Sequence, residues 1–246
     1  MKFTAEYQIS SHDLAHNNRI RPSAVLRYMM ETANRHMHTQ KPSYGELLQQ
    51  GLAFLVSRTH LVIHKDLHAY DRVEAYTWAV APKGASFDRC YQLICNGEVV
   101  AQAYSVFGLL NLNTQKLCRA DDVTFSYGSD EPLDIAARFR LPDVELTVVG
   151  EREIRYADID CNAHMNNTNY PDMLCDFIPE IDGVRVTDVQ IQYVSEAPLG
   201  ERLTVKMGRC EQAGQTMYAF ETVRTDGAVN IRALITVEPT AAAEGF

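Results

Sequence analysis

The chain has 246 residues, 46% of them hydrophobic and 22% charged, which is typical of a soluble globular protein with one large or two ordinary domains. Its formal net charge of −9 argues against a nucleic-acid partner, because phosphate backbones attract positive surfaces. No apolar run is long enough to span a membrane, and the N-terminus lacks the apolar region of a signal peptide, so we expect a cytoplasmic protein.

The cysteines and histidines give no sign of a metal site. None of the six cysteines forms a Cys-x-x-Cys pair or lies near a histidine pair at zinc-ligand spacing, so we expect reduced thiols. His60, His64 and His68 recur at every fourth residue, but a break in the strand near Leu67 separates His68 from the other two. The sequence predicts neither a bound metal nor a cofactor of the protein's own.

The first half of the chain has the pattern of a strand, a helix and four further strands. Residues 2–10 alternate apolar and polar side chains, which predicts a half-buried strand. Pro22 begins an apolar helical stripe that ends before Pro42, and Ser43 with Glu46 forms a capping-box pattern for a short second helix. Further strands are predicted at about 52–65, 72–81, 86–95 and 99–110.

The second half repeats this plan after a segment of different composition. Residues 126–140 lose the alternation and gather Gly, Asp, Glu and Pro, which predicts an interdomain connection. Strands follow at about 147–156, 187–195, 202–210, 216–224 and 229–237. We therefore divide the chain into an N-terminal domain, a linker and a C-terminal domain at residues 1–125, 126–145 and 146–246.

The repeat can be tested by register. A slide of 145 residues places Asn17 on Asn162 (162 − 17 = 145), and after a shorter connection a slide of 130 places Arg72 on Arg202 (202 − 72 = 130). One helix wrapped by an antiparallel sheet leaves a long sheet edge and a half-covered helix, and pairing two copies removes both. The sequence therefore predicts an α+β fold of two tandem helix-wrapped antiparallel sheets.

A polar segment before the second-half helix concentrates the candidate catalytic residues. Asp160, Asn162 and His164 alternate, so an extended backbone would point all three toward one reacting centre. Asn166, Asn167 and Thr168 follow as helix-initiating residues, and the free N–H groups of a helix start can polarise a carbonyl oxygen.

The first half has no copy of the histidine, because Arg19 stands at the position of His164. We therefore expect one active site, in the second half. Cys161 also lies in the polar segment, but an extended backbone would turn its thiol away from Asp160 and Asn162, which argues against a nucleophilic role.

The pattern Asp160-x-Asn162-x-His164-x-Asn166-Asn167-x-x-Tyr170 resembles the signature of acyl-ACP thioesterases, fatty-acyl hydrolases of plants and bacteria with a double hotdog fold. The resemblance implies hydrolysis of an acyl thioester on acyl carrier protein (ACP) by a polar set that includes Asp160, Asn162 and His164. In this interpretation the helix-start N–H groups at 166–168 hold the developing oxyanion.

Glu196 matches by position a further catalytic glutamate of the family, whereas Ala197 stands where plant members have a cysteine. This departure excludes a thiol at that position and favours attack by water with a general base. Either Glu196 or His164 can be that base.

An acidic carrier protein needs a local basic patch on a chain of this charge. Arginines near the first helix can form one, and an ordinary solvated helix face explains them equally well; they are Arg19, Arg21, Arg27 and Arg35.

Other functions stay open. An acyl-CoA thioesterase is the nearest alternative, followed by a hotdog hydratase or dehydratase and a non-catalytic acyl-binding module. The internal duplication allows a monomer, and a homodimer is the other expected state. The sequence does not reveal the acyl chain length.

Overall fold

A computed structural model describes residues 2–126, 128–135, 138–179 and 181–240. In the first half, strand β1 (Phe3–Gln8) leads into helix α1 (Pro22–Thr39) and the short helix α2 (Tyr44–Gln49), which begins at the predicted capping box. Four long strands and a two-residue strand follow: β2 (Leu52–Ile63), β3 (Arg72–Ala79), β4 (Phe87–Cys95), β5 (Glu98–Asn111) and β6 (Lys116–Leu117).

The second half repeats this order with a much shorter helix. Helix α3 (Tyr170–Cys175) ends before the predicted apolar stripe does, because Phe177 and Ile178 donate their N–H groups only three residues back, in a tightened last turn. The strands are β7 (Thr147–Glu153), β8 (Val184–Tyr193), β9 (Arg202–Gln212), β10 (Gln215–Val223) and β11 (Val229–Pro239).

All long strands join one antiparallel sheet in the order β1-β3-β4-β5-β2-β8-β11-β10-β9-β7. Each half has the same internal order, and the halves meet where β2 pairs with β8, with Thr59 opposite Ile191 and Leu61 opposite Val189. The predicted duplication is therefore confirmed, and the sheet edge that one copy would expose is paired with the other copy.

One apolar core lies on the helix side of the sheet and crosses the junction. It contains Met29 of α1 together with Leu174 of α3, each almost fully buried. Asp172 of α3 accepts hydrogen bonds from the Ser23 N–H at 3.0 Å and the Ser23 hydroxyl at 2.5 Å. The second half thus caps the first turn of α1, whose own N-cap residue Arg21 supplies no side-chain bond.

Described residues of the predicted linker pack on the opposite face of the sheet. The Trp78 indole donates to the Glu131 carbonyl at 2.8 Å, and Leu133 packs against the same indole cluster. Farther along, Phe139 packs against Met217 on the second half. The linker therefore covers apolar side chains of both halves on the face away from the helices. No helix within the described ranges is long and apolar enough to cross a membrane.

Candidate active site

The segment that holds Asp160, Asn162 and His164 is a tight loop, so the predicted extended backbone is wrong. The Asp160 N–H donates to the His164 carbonyl at 3.1 Å, and Ala163 has a φ of +65°. One Asp160 carboxylate oxygen accepts the Asn162 N–H at 2.8 Å, which closes the turn locally. Alternation along a strand therefore does not determine where these side chains point. We call residues 160–164 the signature loop.

The first half contains the same loop without the same chemistry. The Ala15 N–H donates to the Arg19 carbonyl at 2.8 Å, and Asn18 has a φ of +58°. The Arg19 guanidinium pairs with Asp66 at 2.9 Å. A slide of 130 places Asp66 on Glu196 (196 − 66 = 130), so a fixed ion pair stands where the second half has a histidine and a carboxylate.

A cavity of about 1070 Å³ lies between helix α1, the first-half strands and the signature loop. Ligand pockets usually measure roughly 300–1000 Å³, so this volume suits a long, flexible ligand. Its polar wall includes Asp160, Cys161, Asn162 and residues 166–168. Its apolar wall comes from the first half: Met30, Met37, Phe54, Val56, Phe87, Tyr91, Phe107, Val123 and Phe125.

His164 and Glu196 form a separate pair beside this cavity and do not belong to the described residues that line it. The His164 Nε2 lies 3.7 Å from a Glu196 oxygen, and the Glu196 side chain is 65% exposed. The pair is brought together because the Met165 N–H donates to the Ala197 carbonyl at 2.8 Å. Of the four predicted catalytic residues, Asp160 and Asn162 line the cavity, and whether His164 and Glu196 face the same reacting centre stays a prediction.

The helix start offers fewer oxyanion donors than expected. The Asn166 N–H donates to the Asp158 carbonyl at 2.8 Å, and the Asn166 side chain accepts the Thr168 N–H at 2.9 Å. Of these three backbone N–H groups, that of Asn167 alone has no acceptor within the described part of the chain. Asn167 is thus the one candidate backbone donor of the three predicted at 166–168.

Cys161 is exposed and lines the cavity with Asp160, so the expectation that its thiol points away is wrong. The cause is the turn, which removes the strand alternation. Tyr44 of α2 lies on the same wall. Burial, and then the nearby Cys161 and Asp160 groups, raise the pKa of the Tyr44 phenol.

The four arginines of the expected basic patch are mostly paired within the chain. Arg21 is exposed. The others form ion pairs: Arg19 with Asp66 at 2.9 Å, Arg27 with Asp13 at 3.9 Å, and Arg35 with Glu31 at 3.0 Å. Each partner cancels much of the positive field that an acidic docking protein would meet.

The three regularly spaced histidines have different partners. His60 contacts Asp188 at 2.5 Å, His64 contacts Gln102 at 3.1 Å, and His68 contacts Asp71 at 3.7 Å. Across the described residues, no group of three His, Cys, Asp or Glu side chains is arranged to hold a metal ion.

Several polar residues of the cavity wall, Tyr44 and Arg89 among them, were not predicted from the sequence. Arg89 alternates with Phe87 and Tyr91 along β4, and all three line the cavity. That alternation was a usable signal, because it places an arginine on the apolar face of a strand. Tyr44 carries no comparable signal, since it follows a capping residue in a short helix.

Structural comparison shows the fold. An acyl-ACP thioesterase from Bacteroides thetaiotaomicron VPI-5482 superposes with a TM-score of 0.83 at 21% identity, covering 96% of this chain and 98% of that one. A 12:0-ACP thioesterase from Umbellularia californica gives 0.79 at 18% identity, covering 97% and 94%. The predicted α+β double hotdog fold is confirmed.

Sequence comparison finds the same kind of protein in both halves of the chain. An acyl-[acyl-carrier-protein] hydrolase, FATB2, chloroplastic, of Cuphea viscosissima is 26% identical over 186 residues, which cover 68% of this chain and 45% of that protein. The chain thus spans about half the length of the curated relatives it matches. The family model for the acyl-ACP thioesterase N-terminal domain matches residues 1–127, and that for the C-terminal domain matches residues 144–238. With both domains of the family present in order, the chain belongs to the acyl-ACP thioesterase family.

Proposed function

We propose that this protein hydrolyses fatty acyl-ACP thioesters to a free fatty acid and holo-ACP. The observation that carries the proposal is the contact between a large apolar cavity and a polar loop containing a carboxylate and an amide, Asp160 and Asn162. An acyl chain fits the apolar wall, and its thioester then lies at the loop. Curated relatives are named as hydrolases or thioesterases of acyl-ACP, which supports the same substrate class.

We assign the general base to Asp160, because it is the carboxylate of the predicted set that lines the cavity. Asp160 removes a proton from water, and the water oxygen attacks the thioester carbonyl carbon. Asn162 holds the water or the substrate. The carbonyl oxygen gains the negative charge and accepts the Asn167 N–H. Collapse of this intermediate breaks the carbon–sulfur bond, and the proton held by Asp160 passes to the leaving sulfur of the phosphopantetheine arm.

His164 and Glu196 act as positioning residues in this proposal. The His164 carbonyl accepts the Asp160 N–H, so fixing His164 fixes the catalytic carboxylate. The first-half copy supports this role, since the Arg19–Asp66 ion pair joins the equivalent loop to the segment after β2. Glu196 and His164, the two bases that the sequence suggests, are thereby assigned supporting roles.

Acyl-CoA is the second candidate substrate, and one observation favours it. Three arginines of the expected ACP-facing patch are paired with carboxylates, on a chain whose net charge is −9. CoA needs only a local phosphate site, whereas an acidic carrier protein needs an extended positive surface.

The test of the residue roles is thiol release from one acyl-ACP by wild type and by Asp160→Asn and Glu196→Gln. We expect Asp160→Asn to lower kcat by roughly 10²- to 10⁴-fold, because a positioned base is removed. Glu196→Gln should cause a smaller loss. Asp66→Asn, at the duplicate position in the first half, is the matched control and should stay within a few-fold of wild type. Near-native turnover of Asp160→Asn would contradict the assignment, and an equal loss in Glu196→Gln would move the base to the His164–Glu196 pair.

A further inference from the structure

The cavity wall contains a buried arginine that the proposed chemistry does not use. Arg89 lies on β4 between Phe87 and Tyr91 on the same face, and it is only 7% exposed. Its side chain reaches the C-terminal part of α1, where it contacts His36 and Met37. A guanidinium so deeply buried normally has a carboxylate partner.

All partners of Arg89 are neutral. Its Nη1 donates to the His36 Nδ1 at 3.0 Å and to the fully buried Thr77 hydroxyl at 3.2 Å, and its Nη2 lies 3.5 Å from the Met37 sulfur. A guanidinium has five N–H donors, and a thioether is a weak acceptor. No carboxylate in the described ranges forms an ion pair with Arg89.

The neighbouring His36 imidazole supplies no negative charge, and it is uncharged. Burial, and then the Arg89 charge, lower the pKa of His36 to about 4, so the ring is neutral at neutral pH and its Nδ1 can accept the bond. The carboxylate next to Arg89 in sequence, Asp88, accepts hydrogen bonds from Ser86 at 2.5 Å and Tyr104 at 2.6 Å. Among the described residues, Arg89 is therefore a positive charge on the cavity wall without an ion-pair partner, since the other carboxylates of that wall, Glu31, Asp121 and Asp160, form no salt bridge with it.

A purely hydrocarbon chain filling this cavity would remove water from the guanidinium without supplying another hydrogen-bond acceptor, which is unfavourable. An oxygen on the chain would replace that water. A carboxylate suits the site best, since it accepts two parallel N–H bonds and supplies the missing charge.

We propose that Arg89 selects acyl groups whose chain carries an oxygen acceptor, with a carboxylate bound most strongly. This inference rests on the proposed thioester hydrolysis and narrows its substrate class. Arg89 is a specificity-determining residue, because it lines the cavity proposed for the acyl chain and takes no part in bond breaking.

The test uses acyl-ACPs of several chain lengths, each ending in a methyl, hydroxyl or carboxylate group. We expect wild type to favour the oxygen-bearing substrate in kcat/KM by roughly 10- to 100-fold, the range for a hydrogen bond to a charged group. The preference should peak at the length that brings the oxygen to Arg89. Arg89→Met should lose the preference while hydrolysing the methyl-ended substrates, and Arg89→Lys should retain part of it.

Failure of the inference is distinct from failure of the proposed hydrolysis. Turnover of methyl-ended substrates with no oxygen preference in wild type, or with the same preference in Arg89→Met, would overturn the inference alone. If no thioester is hydrolysed, the role of Arg89 can still be tested by measuring the binding of dodecanoate and of dodecylammonium by calorimetry. Wild type should favour the carboxylate and Arg89→Met should not, with the melting temperature of the variant checking that it is folded; equal binding of both ligands by wild type would overturn the inference.

Discussion

His36 provides a test of the buried polar cluster that needs no substrate. Its pKa falls from the ordinary 6.5 to about 4, first through burial and then through the Arg89 charge. Between these values the unfolded chain binds a proton that the folded chain does not, so the free energy of unfolding decreases as the pH falls through this window. The full shift of 2.5 pH units (6.5 − 4 = 2.5) corresponds to about 3 kcal/mol.

Most of this loss should appear between pH 7 and pH 5, where it amounts to about 2 kcal/mol. The assay is urea unfolding at both pH values, followed by the fluorescence of Trp78, the one tryptophan of the chain. His36→Asn is the comparison, because its amide oxygen can still accept from Arg89 but does not titrate. The variant should lose about 2 kcal/mol less than wild type over this range. Equal losses in both proteins would refute the conclusion that His36 is buried in its neutral form.

Three further substitutions test the packing and the site. Asp172→Ala removes the carboxylate that caps Ser23 across the two halves, so urea unfolding should show a loss of about 2 kcal/mol, and an unchanged midpoint would contradict the capping role. Gly208→Ala places a new Cβ 2.5 Å from the Glu145 carbonyl of the linker, which should lower the melting temperature through a loss of about 1–3 kcal/mol; an unaltered melting temperature would mean that the linker does not pack there. Cys161→Ser should hydrolyse acyl-ACP within a few-fold of wild type while becoming resistant to inhibition by a bulky maleimide, and a loss comparable to that of Asp160→Asn would mean that the thiol takes part in the reaction.

The architecture was predictable because its signals are periodic and repeated. Alternation in residues 2–10 and the proline that begins α1 depend on local geometry alone, and the structure places β1 and α1 there. The slides of 145 and 130 residues were informative because both copies must present matching strands to one sheet. The pairing of β2 with β8 is the physical result of that match.

The site was only partly predictable because side-chain directions there depend on contacts distant in sequence or on turn chemistry. Asp160 was identified by residue type, but its hydrogen bond to the Asn162 N–H converts the expected strand into a turn. Glu196 was expected at the reacting centre, yet the Met165–Ala197 bond holds it beside His164 with its side chain largely exposed. The spacing of these residues gave no sign that His164 and Glu196 would lie outside the described lining of the cavity.

The most direct test of the proposed hydrolysis is thiol release by wild type from acyl-ACP and acyl-CoA panels matched in chain length. We predict release from acyl-ACP with formation of the free fatty acid, and a preference for acyl-CoA would replace the carrier-protein substrate by the second candidate. No thiol release from either panel, with enoyl or hydroxyacyl thioesters consumed instead, would contradict hydrolysis and leave a double hotdog hydratase or dehydratase.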